Sequence, residues 1–339
     1  MDAREDLHWK RETPRISARG ELSVRRETRL SREAPALPSR RTTEYRSASL
    51  PDARMPRRLA RLMEARSAPA LGGHPEGFAA TARTDTWWSE PVVTGLVLLG
   101  FVGYATWAAF QGAYYYSAPY LSPFYSPLLF IDPSAPGSAP LEHAWLGAWP
   151  AWWPSILPAS PAFLILMFPG LFRFTCYYYR KAYYRAIAGS PPACAVTPAG
   201  KSTKYFGETR FLSFQNLHRY ALYFALVFIP ILAYDAFLAF FKDGRPGIGV
   251  GTIVLLTNVV LLSGYTFGCH SFRHLIGGRN DCMSCGRATL QYKMWKRSSA
   301  LNEKHMLFAW MSLVWVAFTD VYVRLVSMGV IHDLNTWGS

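Results

Sequence analysis

Cysteine is scarce in this chain, with five cysteines spread over 339 residues. Such a small, odd number argues against a disulfide framework and favours metal ligation or free thiols. The sequence also lacks a Gly-rich βαβ unit for a dinucleotide, the Cys-rich pattern of a ferredoxin and the apolar run of a signal peptide. These absences exclude a dinucleotide-dependent enzyme, a ferredoxin and a disulfide-stapled secreted domain.

Large apolar side chains are rare in residues 1–86, which are rich in Arg, Ser, Pro and Glu and show no helical or strand periodicity. Such a segment buries too little apolar surface to offset its chain entropy, so we expect a disordered basic N-terminal extension. The net charge of the chain is +14. Because the basic residues lie in this extension and in loops beside apolar runs, we expect no nucleic-acid partner.

Long apolar runs dominate the remainder, and 50% of the whole chain is hydrophobic. They predict an all-α polytopic membrane protein in which residues 87–335 form a five-transmembrane-helix bundle. The predicted spans lie at about 91–111, 160–178, 219–240, 249–270 and 306–329. The second run is interrupted by Pro158, Pro161 and Pro169.

Loop charge predicts the orientation. The 112–159 connection contains no Lys or Arg, whereas the 179–218 and 271–305 loops are rich in both. Basic loops remain in the cytoplasm, so we expect a multi-pass protein of the cell membrane with a cytoplasmic N-terminus and an external C-terminus. The 112–159 stretch is expected to lie against the outer membrane surface.

One short segment concentrates metal-ligand side chains at the cytoplasmic end of the fourth predicted span. His270 and His274 lie four residues apart, on one face of a continuing helix, and Cys282 and Cys285 follow after a Gly-Gly break. Two imidazoles and two thiolates are the ligand set of a Rieske-type [2Fe–2S] cluster and also of a Cys₂His₂ zinc site. The spacing alone leaves both open.

Three further residues are alternative ligands at the same depth, namely Cys269, His218 and His305. Histidines on neighbouring helices, such as His218 and His270, also suit a haem b, although a haem would leave the Cys-x-x-Cys pair without a role.

A quinone site needs hydrogen-bond donors beside an apolar slot. Candidates near this interface are Arg219, Tyr220, Ser271, Arg273 and Trp295. Each equally suits an interfacial anchor.

Asp320 and Arg324 lie four residues apart inside the fifth predicted span, which predicts an intramembrane ion pair. A proton route that includes Asp235, at similar depth in the third span, is the alternative.

The stretch from Gly268 to His274, with Gly277-Gly278 and Cys282-Met283-Ser284-Cys285, resembles the membrane anchor of actinobacterial-type succinate dehydrogenases. The Asn216–Tyr220 entry to the third span and the five-span pattern fit the same family.

The resemblance implies the membrane-anchor subunit of a succinate:quinone oxidoreductase (respiratory complex II) without a succinate site of its own. Its partners would be the flavoprotein and iron–sulfur subunits and the lipid bilayer, and its substrate menaquinone or ubiquinone. It also implies a membrane-embedded Rieske-type [2Fe–2S] cluster, carried onto His270, His274, Cys282 and Cys285. A haem b anchor of the same complex and a non-enzymatic membrane protein with a zinc knuckle remain the alternatives.

Overall fold

The computed structural model describes residues 77–199, 213–278, 282 and 288–337. These residues are mostly helical, in agreement with the all-α prediction. The elements in chain order are α1 (Ser89–Gln111), β1 (Tyr116–Ser117), β2 (Tyr120–Leu121), a 3₁₀ helix (Leu141–His143), α2 (Pro161–Ile165), α3 (Met167–Thr175), α4 (Tyr177–Ala186), α5 (Phe214–Leu238), β3 (Phe241–Lys242), β4 (Arg245–Pro246), α6 (Val250–Phe267), α7 (His270–Gly277), α8 (Ala288–Glu303) and α9 (His305–Ser327).

Four of these helices, α1, α5, α6 and α9, are long and apolar enough to cross a membrane. They coincide with the first, third, fourth and fifth predicted spans. A helix satisfies its own backbone hydrogen bonds, which lipid cannot do for it. On α1 the large side chains Leu96, Leu99 and Val102 are more than half exposed, as suits a surface that faces lipid.

The second predicted span is not one continuous helix, so the count of five is not confirmed. The segment is divided into α2, α3 and α4, and the chain is extended at Cys176 between the last two. Pro169 explains the first division, because its ring has no N–H and crowds the carbonyl of Ile165, the last residue of α2.

The helices pack in sequence-distant pairs that create the interior. α9 lies along α6, while α5 packs against both α3 and α6. α4 lies against the start of α1, where a Cβ at Gly95 would be 3.7 Å from the Cβ of Ala186. A cluster of buried side chains joins α3, α5, α6 and α9: Phe172, Cys176, Tyr179, Ala221, Leu222, Ala225, Tyr265, Cys269, Ala309 and Leu313.

The 112–159 stretch folds onto the ends of the helices and shares their core. The side chains of Tyr115, Tyr125 and Ile131 are buried in one cluster with Ala108 of α1 and Val316 of α9. This connection therefore forms a cap on the bundle.

The last residues of the predicted disordered extension are ordered, which differs from the sequence prediction. Residues 77–86 lie against the loop after α4, where Ala79 N donates to Thr197 O at 3.1 Å and Thr197 N donates to Ala80 O at 3.0 Å. Backbone hydrogen bonds hold this short segment in place, although it buries little apolar surface. Residues 1–76 of the predicted extension lie outside the described residues.

Candidate functional site

Two cysteines and two histidines from separate parts of the bundle line one cavity of about 960 Å³. Cys176 lies between α3 and α4, His218 on the first turns of α5, Cys269 between α6 and α7, and His305 at the start of α9. All four side chains are buried. Each of these residues lies at or near the end of a helix. Which of the four side chains come together is therefore determined by how the helix ends pack.

His218 is held in one orientation by its neighbours. Its Nδ1 lies 3.1 Å from Phe172 O and 3.1 Å from Thr175 Oγ1. The Thr175 hydroxyl donates to Leu171 O at 2.7 Å, so it accepts from His218. These partners assign the proton to Nδ1 and leave the Nε2 lone pair facing Cys269 Sγ at 3.1 Å. A metal-binding histidine is commonly fixed in this way through its other ring nitrogen.

Cys269 faces this lone pair as a protonated thiol. Because His218 Nε2 carries no proton, the Cys269 S–H donates to it. A metal ion would replace that proton, because thiolate rather than thiol is the ligand form.

His305 and Cys176 form the second pair, with Nε2 and Sγ 4.0 Å apart. The ring of Tyr265 stacks on the His305 imidazole at 5.0 Å between centroids and 11° between planes. His305 Nδ1 is buried and has no hydrogen-bond partner among the described residues. An imidazole with an unused buried nitrogen and a thiol within reach is suited to accept a further ligand.

Three of the four ligands predicted from local spacing lie in the described part of the chain. His270 and His274 are both exposed on α7, and Cys282 is exposed beyond it. Within the described residues no group of three or more His, Cys, Asp or Glu side chains is close enough to hold a metal, and this applies to Cys176, His218, Cys269 and His305 as well as to these three. Cys285 lies outside the described residues. His270 nevertheless lines the cavity at its edge.

Of the alternative ligands, Cys269, His218 and His305 all lie in the buried cluster, and Cys176 is the member that the sequence prediction omitted. Cys176 has no partner at a metal-ligand spacing nearby in the sequence. Its one sequence signal is its position near the end of the second predicted span, beside the basic 179–218 loop.

Of the five residues predicted for a quinone site, two line the cavity and three do not. Arg219 and Ser271 line the cavity, whereas Tyr220 is exposed and is not among its lining residues. Arg273 donates to Asn302 Oδ1 at 3.2 Å and lies 5.3 Å from the Trp295 ring. Arg273 and Trp295 thus join α7 to α8.

Asp320 and Arg324 form an ion pair, with Arg324 Nη2 3.4 Å from Asp320 Oδ2, and both side chains are almost completely buried. Tyr104 OH and Ser122 Oγ also donate to the Asp320 carboxylate. Arg324 Nη1 donates to Ala113 O at 2.8 Å. The pair therefore ties α9 to α1 and to the 112–159 cap. Asp235 is separate from it and accepts from Ser126.

Comparison with known proteins places the chain in a family. The sequence model for "Actinobacterial succinate dehydrogenase subunit SdhC" matches residues 89–329. A chain of the Mycobacterium smegmatis Sdh1 complex in the apo form is 44% identical, with a TM-score of 0.65, over 76% of this chain and 94% of that one. No curated protein matches the chain. The chain therefore belongs to the actinobacterial SdhC family and is a multi-pass membrane-anchor subunit of succinate dehydrogenase, with the other subunits of that complex as its partners.

Proposed function

We propose that this subunit relays electrons from the docked iron–sulfur subunit to a membrane quinone through a [2Fe–2S] cluster held by Cys176, Cys269, His218 and His305. The observation that carries the proposal is the convergence of two buried thiols and two buried imidazoles on one cavity. This ligand set replaces the one predicted from the local Cys/His spacing.

The types of side chain that line the cavity match the ligands of such a cluster. Two cysteines and two histidines are what a Rieske-type centre requires. His218 Nε2 is already presented by its Nδ1 contacts, and His305 has a buried nitrogen without a partner. When bound, the cluster would supply a one-electron carrier whose potential is higher than that of an all-cysteine centre.

The protein's own groups prepare this site in two ways. The Phe172 carbonyl and Thr175 hydroxyl fix the His218 ring, so the imidazole needs no rearrangement to bind. Phe172 stacks on His218 at 4.6 Å between centroids, as Tyr265 does on His305, so aromatic rings cover both histidines and exclude water.

The cavity lining supports docking of an electron donor on this side. Arg180, Lys181, Arg185 and Arg219 all line the cavity. A cluster of positive charge steers an acidic patch of a partner subunit towards it and fixes the register of docking. We place this face in the cytoplasm, because the basic 179–218 and 271–305 loops lie on the same side.

The segment α2–α4 is proposed as the fifth crossing in a broken form. At 1.5 Å per residue, α2 and α3 alone cover about 22 Å, which is short of a bilayer core of about 30 Å. α4 supplies the remaining length. Extended backbone at membrane depth is tolerated where it is buried in protein, and Cys176 is buried between α3 and α4.

Spectroscopy of the purified complex tests the ligand set. We expect pulsed EPR to resolve nitrogen coupling from imidazoles bound to a reduced [2Fe–2S] centre that the soluble subunits do not contain. Cys176→Ser and Cys269→Ser should each remove this signal. Cys282→Ser and His274→Ala are the controls from the local motif and should retain it.

Three results would contradict the proposal. A haem absorption band or stoichiometric zinc in place of the EPR signal would overturn the cluster itself. Loss of the signal in Cys282→Ser with its retention in Cys176→Ser would return the ligands to the local motif.

A further inference from the structure

A second cavity, of about 620 Å³, lies between the 112–159 cap and the last turns of α5. It is at the opposite end of α5 from the site already described, because His218 and Asp235 are about 25 Å apart along the helix at 1.5 Å per residue. Its volume is within the range of roughly 300–1,000 Å³ that small-molecule pockets have. Its lining includes Tyr116, Glu142, His143, Trp145, Tyr234 and Asp235.

Asp235 gives this cavity a negative charge without a counter-ion. Its carboxylate accepts from the buried hydroxyl of Ser126, and none of the ion pairs among the described residues includes it. A carboxylate has about four lone-pair sites, so it can accept further hydrogen bonds from a ligand. Glu142 adds a second carboxylate, which is exposed. An acidic group within an apolar helix, without a cation to pair with it, is a functional candidate by default.

The rest of the lining favours an organic cation over a metal ion. Tyr116, Trp145 and Tyr234 line the cavity together with the two carboxylates. The face of an aromatic ring attracts an ammonium group, most strongly where water is excluded. A hard metal ion instead requires a compact shell of six or more oxygen ligands, for which this cavity is too wide and too apolar. The chemistry of the lining therefore fits an ammonium group.

The surroundings of the cavity favour a lipid as the source of this ammonium group. Tyr234, Phe237 and Leu238 are exposed on α5, as suits a surface in contact with lipid. Leu238 and Tyr234 also line the cavity, so the cavity adjoins this apolar surface. Trp145 is more than half exposed, as aromatic residues at a membrane interface commonly are. A headgroup in the cavity would thus be continuous with acyl chains along α5.

The hairpin after α5 offers positive charge for a phosphate group. Phe241 of β3 lines the cavity, and the next residue, Lys242, is paired across the hairpin with Arg245. The 112–159 cap, by contrast, contains no Lys or Arg. A zwitterionic headgroup would therefore place its ammonium group between the carboxylates and its phosphate towards the hairpin.

We propose that this cavity binds the headgroup of an ethanolamine phospholipid, with the ammonium group donating to Asp235 and Glu142. The bound lipid would contact the cap and α5 at once, and so hold the two together. The site is independent of the proposed electron relay, which uses the other end of α5.

Native mass spectrometry of the intact complex tests this site. The complex is washed free of lipid in detergent and titrated with dioleoyl phosphatidylethanolamine or with dioleoyl phosphatidylglycerol, which has the same chains but no ammonium group. We expect one phosphatidylethanolamine to bind at least tenfold more tightly than phosphatidylglycerol. Free ethanolamine at the same concentration should not displace it, because it lacks the acyl chains. Displacement by free ethanolamine would overturn the lipid as the source.

Variants separate the charge from the space. Asp235→Asn should weaken phosphatidylethanolamine binding at least fivefold, while the asparagine still accepts from Ser126. Ala144→Phe should weaken it as much by filling the cavity, which Ala144 lines. Asp243→Asn is the matched control, since Asp243 is exposed outside the cavity with a φ of 50° that asparagine also adopts. It should remain within twofold of the parent protein. Equal affinity for the two lipids, or parent-like binding in both Asp235→Asn and Ala144→Phe, would overturn the inference.

Discussion

Asp320 shows at the residue scale how a charge is kept inside an apolar bundle. Its side chain is completely buried, and it accepts from Tyr104, Ser122 and Arg324. Those donors come from three separate parts of the chain, so the carboxylate joins them through one group. This network accounts for the charged pair structurally, without the proton route that the sequence also allowed.

Replacing Asp320 by Asn tests that account. The change leaves Arg324 buried without its counter-ion, and removal of one partner from a buried pair destabilises by about 3–5 kcal/mol. We expect a lower thermal midpoint of the complex in detergent but an unchanged quinone rate per folded complex. Asp235→Asn, which lacks an arginine partner, should have the smaller effect on stability. An unchanged midpoint together with a lost quinone rate would favour the proton route.

The candidate ligands show what residue spacing reveals and what it cannot. The sequence predicted one depth for Cys269, His218 and His305, because all three stand at the ends of apolar runs, and the structure places all three at one cavity. It favoured His270, His274, Cys282 and Cys285, since residues close in sequence are the ones whose geometry a motif predicts. Which ends of separate helices meet is decided by packing, and Cys176 could be joined to the others only once α3 and α6 were placed together.

Helix boundaries at the element scale follow apolar length where proline is absent or is confined to the first turn, as Pro91 is in α1. α1, α6 and α9 fall within two or three residues of the predicted ends, apart from the Cys269 break, which shortens α6. The run at 160–178 is not one continuous helix. Hydropathy averaged over the run conceals Pro161 and Pro169, whereas the helical backbone is interrupted. Cys176 has an extended backbone between α3 and α4, and its thiol lies in the candidate site. In a straight helix the thiol would lie elsewhere.

The close contact between α6 and α9 leads to a testable prediction about helix packing. A Cβ added at Gly264 on α6 would lie 2.5 Å from the Phe308 ring of α9. Gly264→Ala should therefore destabilise the complex by about 1–3 kcal/mol through overpacking. Gly103→Ala on α1 is the matched control, since nothing lies within 4 Å of its Cβ position. It should be neutral or slightly stabilising, because alanine favours helices. Equal unfolding midpoints for the two variants would contradict the close packing of α6 on α9.

The number of crossings decides the topology of the whole molecule. With α2–α4 as a fifth crossing, the loop after α4 and the 112–159 cap lie on opposite sides of the membrane; with four crossings, at α1, α5, α6 and α9, the two lie on the same side. Cys194 in that loop is an exposed free thiol, while Cys176 and Cys269 are free but buried. Glu142, in the 112–159 cap, is exposed and offers a position for a second thiol.

A membrane-impermeant thiol reagent distinguishes these topologies. We expect the Glu142→Cys variant to gain labelling on intact cells over the parent protein, because positive loop charge retains the 179–218 loop in the cytoplasm and a crossing at α2–α4 then places the 112–159 cap outside. Cys194 should be labelled only after permeabilisation, and the parent protein gives the background. Labelling of both positions only after permeabilisation would mean four crossings, with α2–α4 entering and leaving on one side.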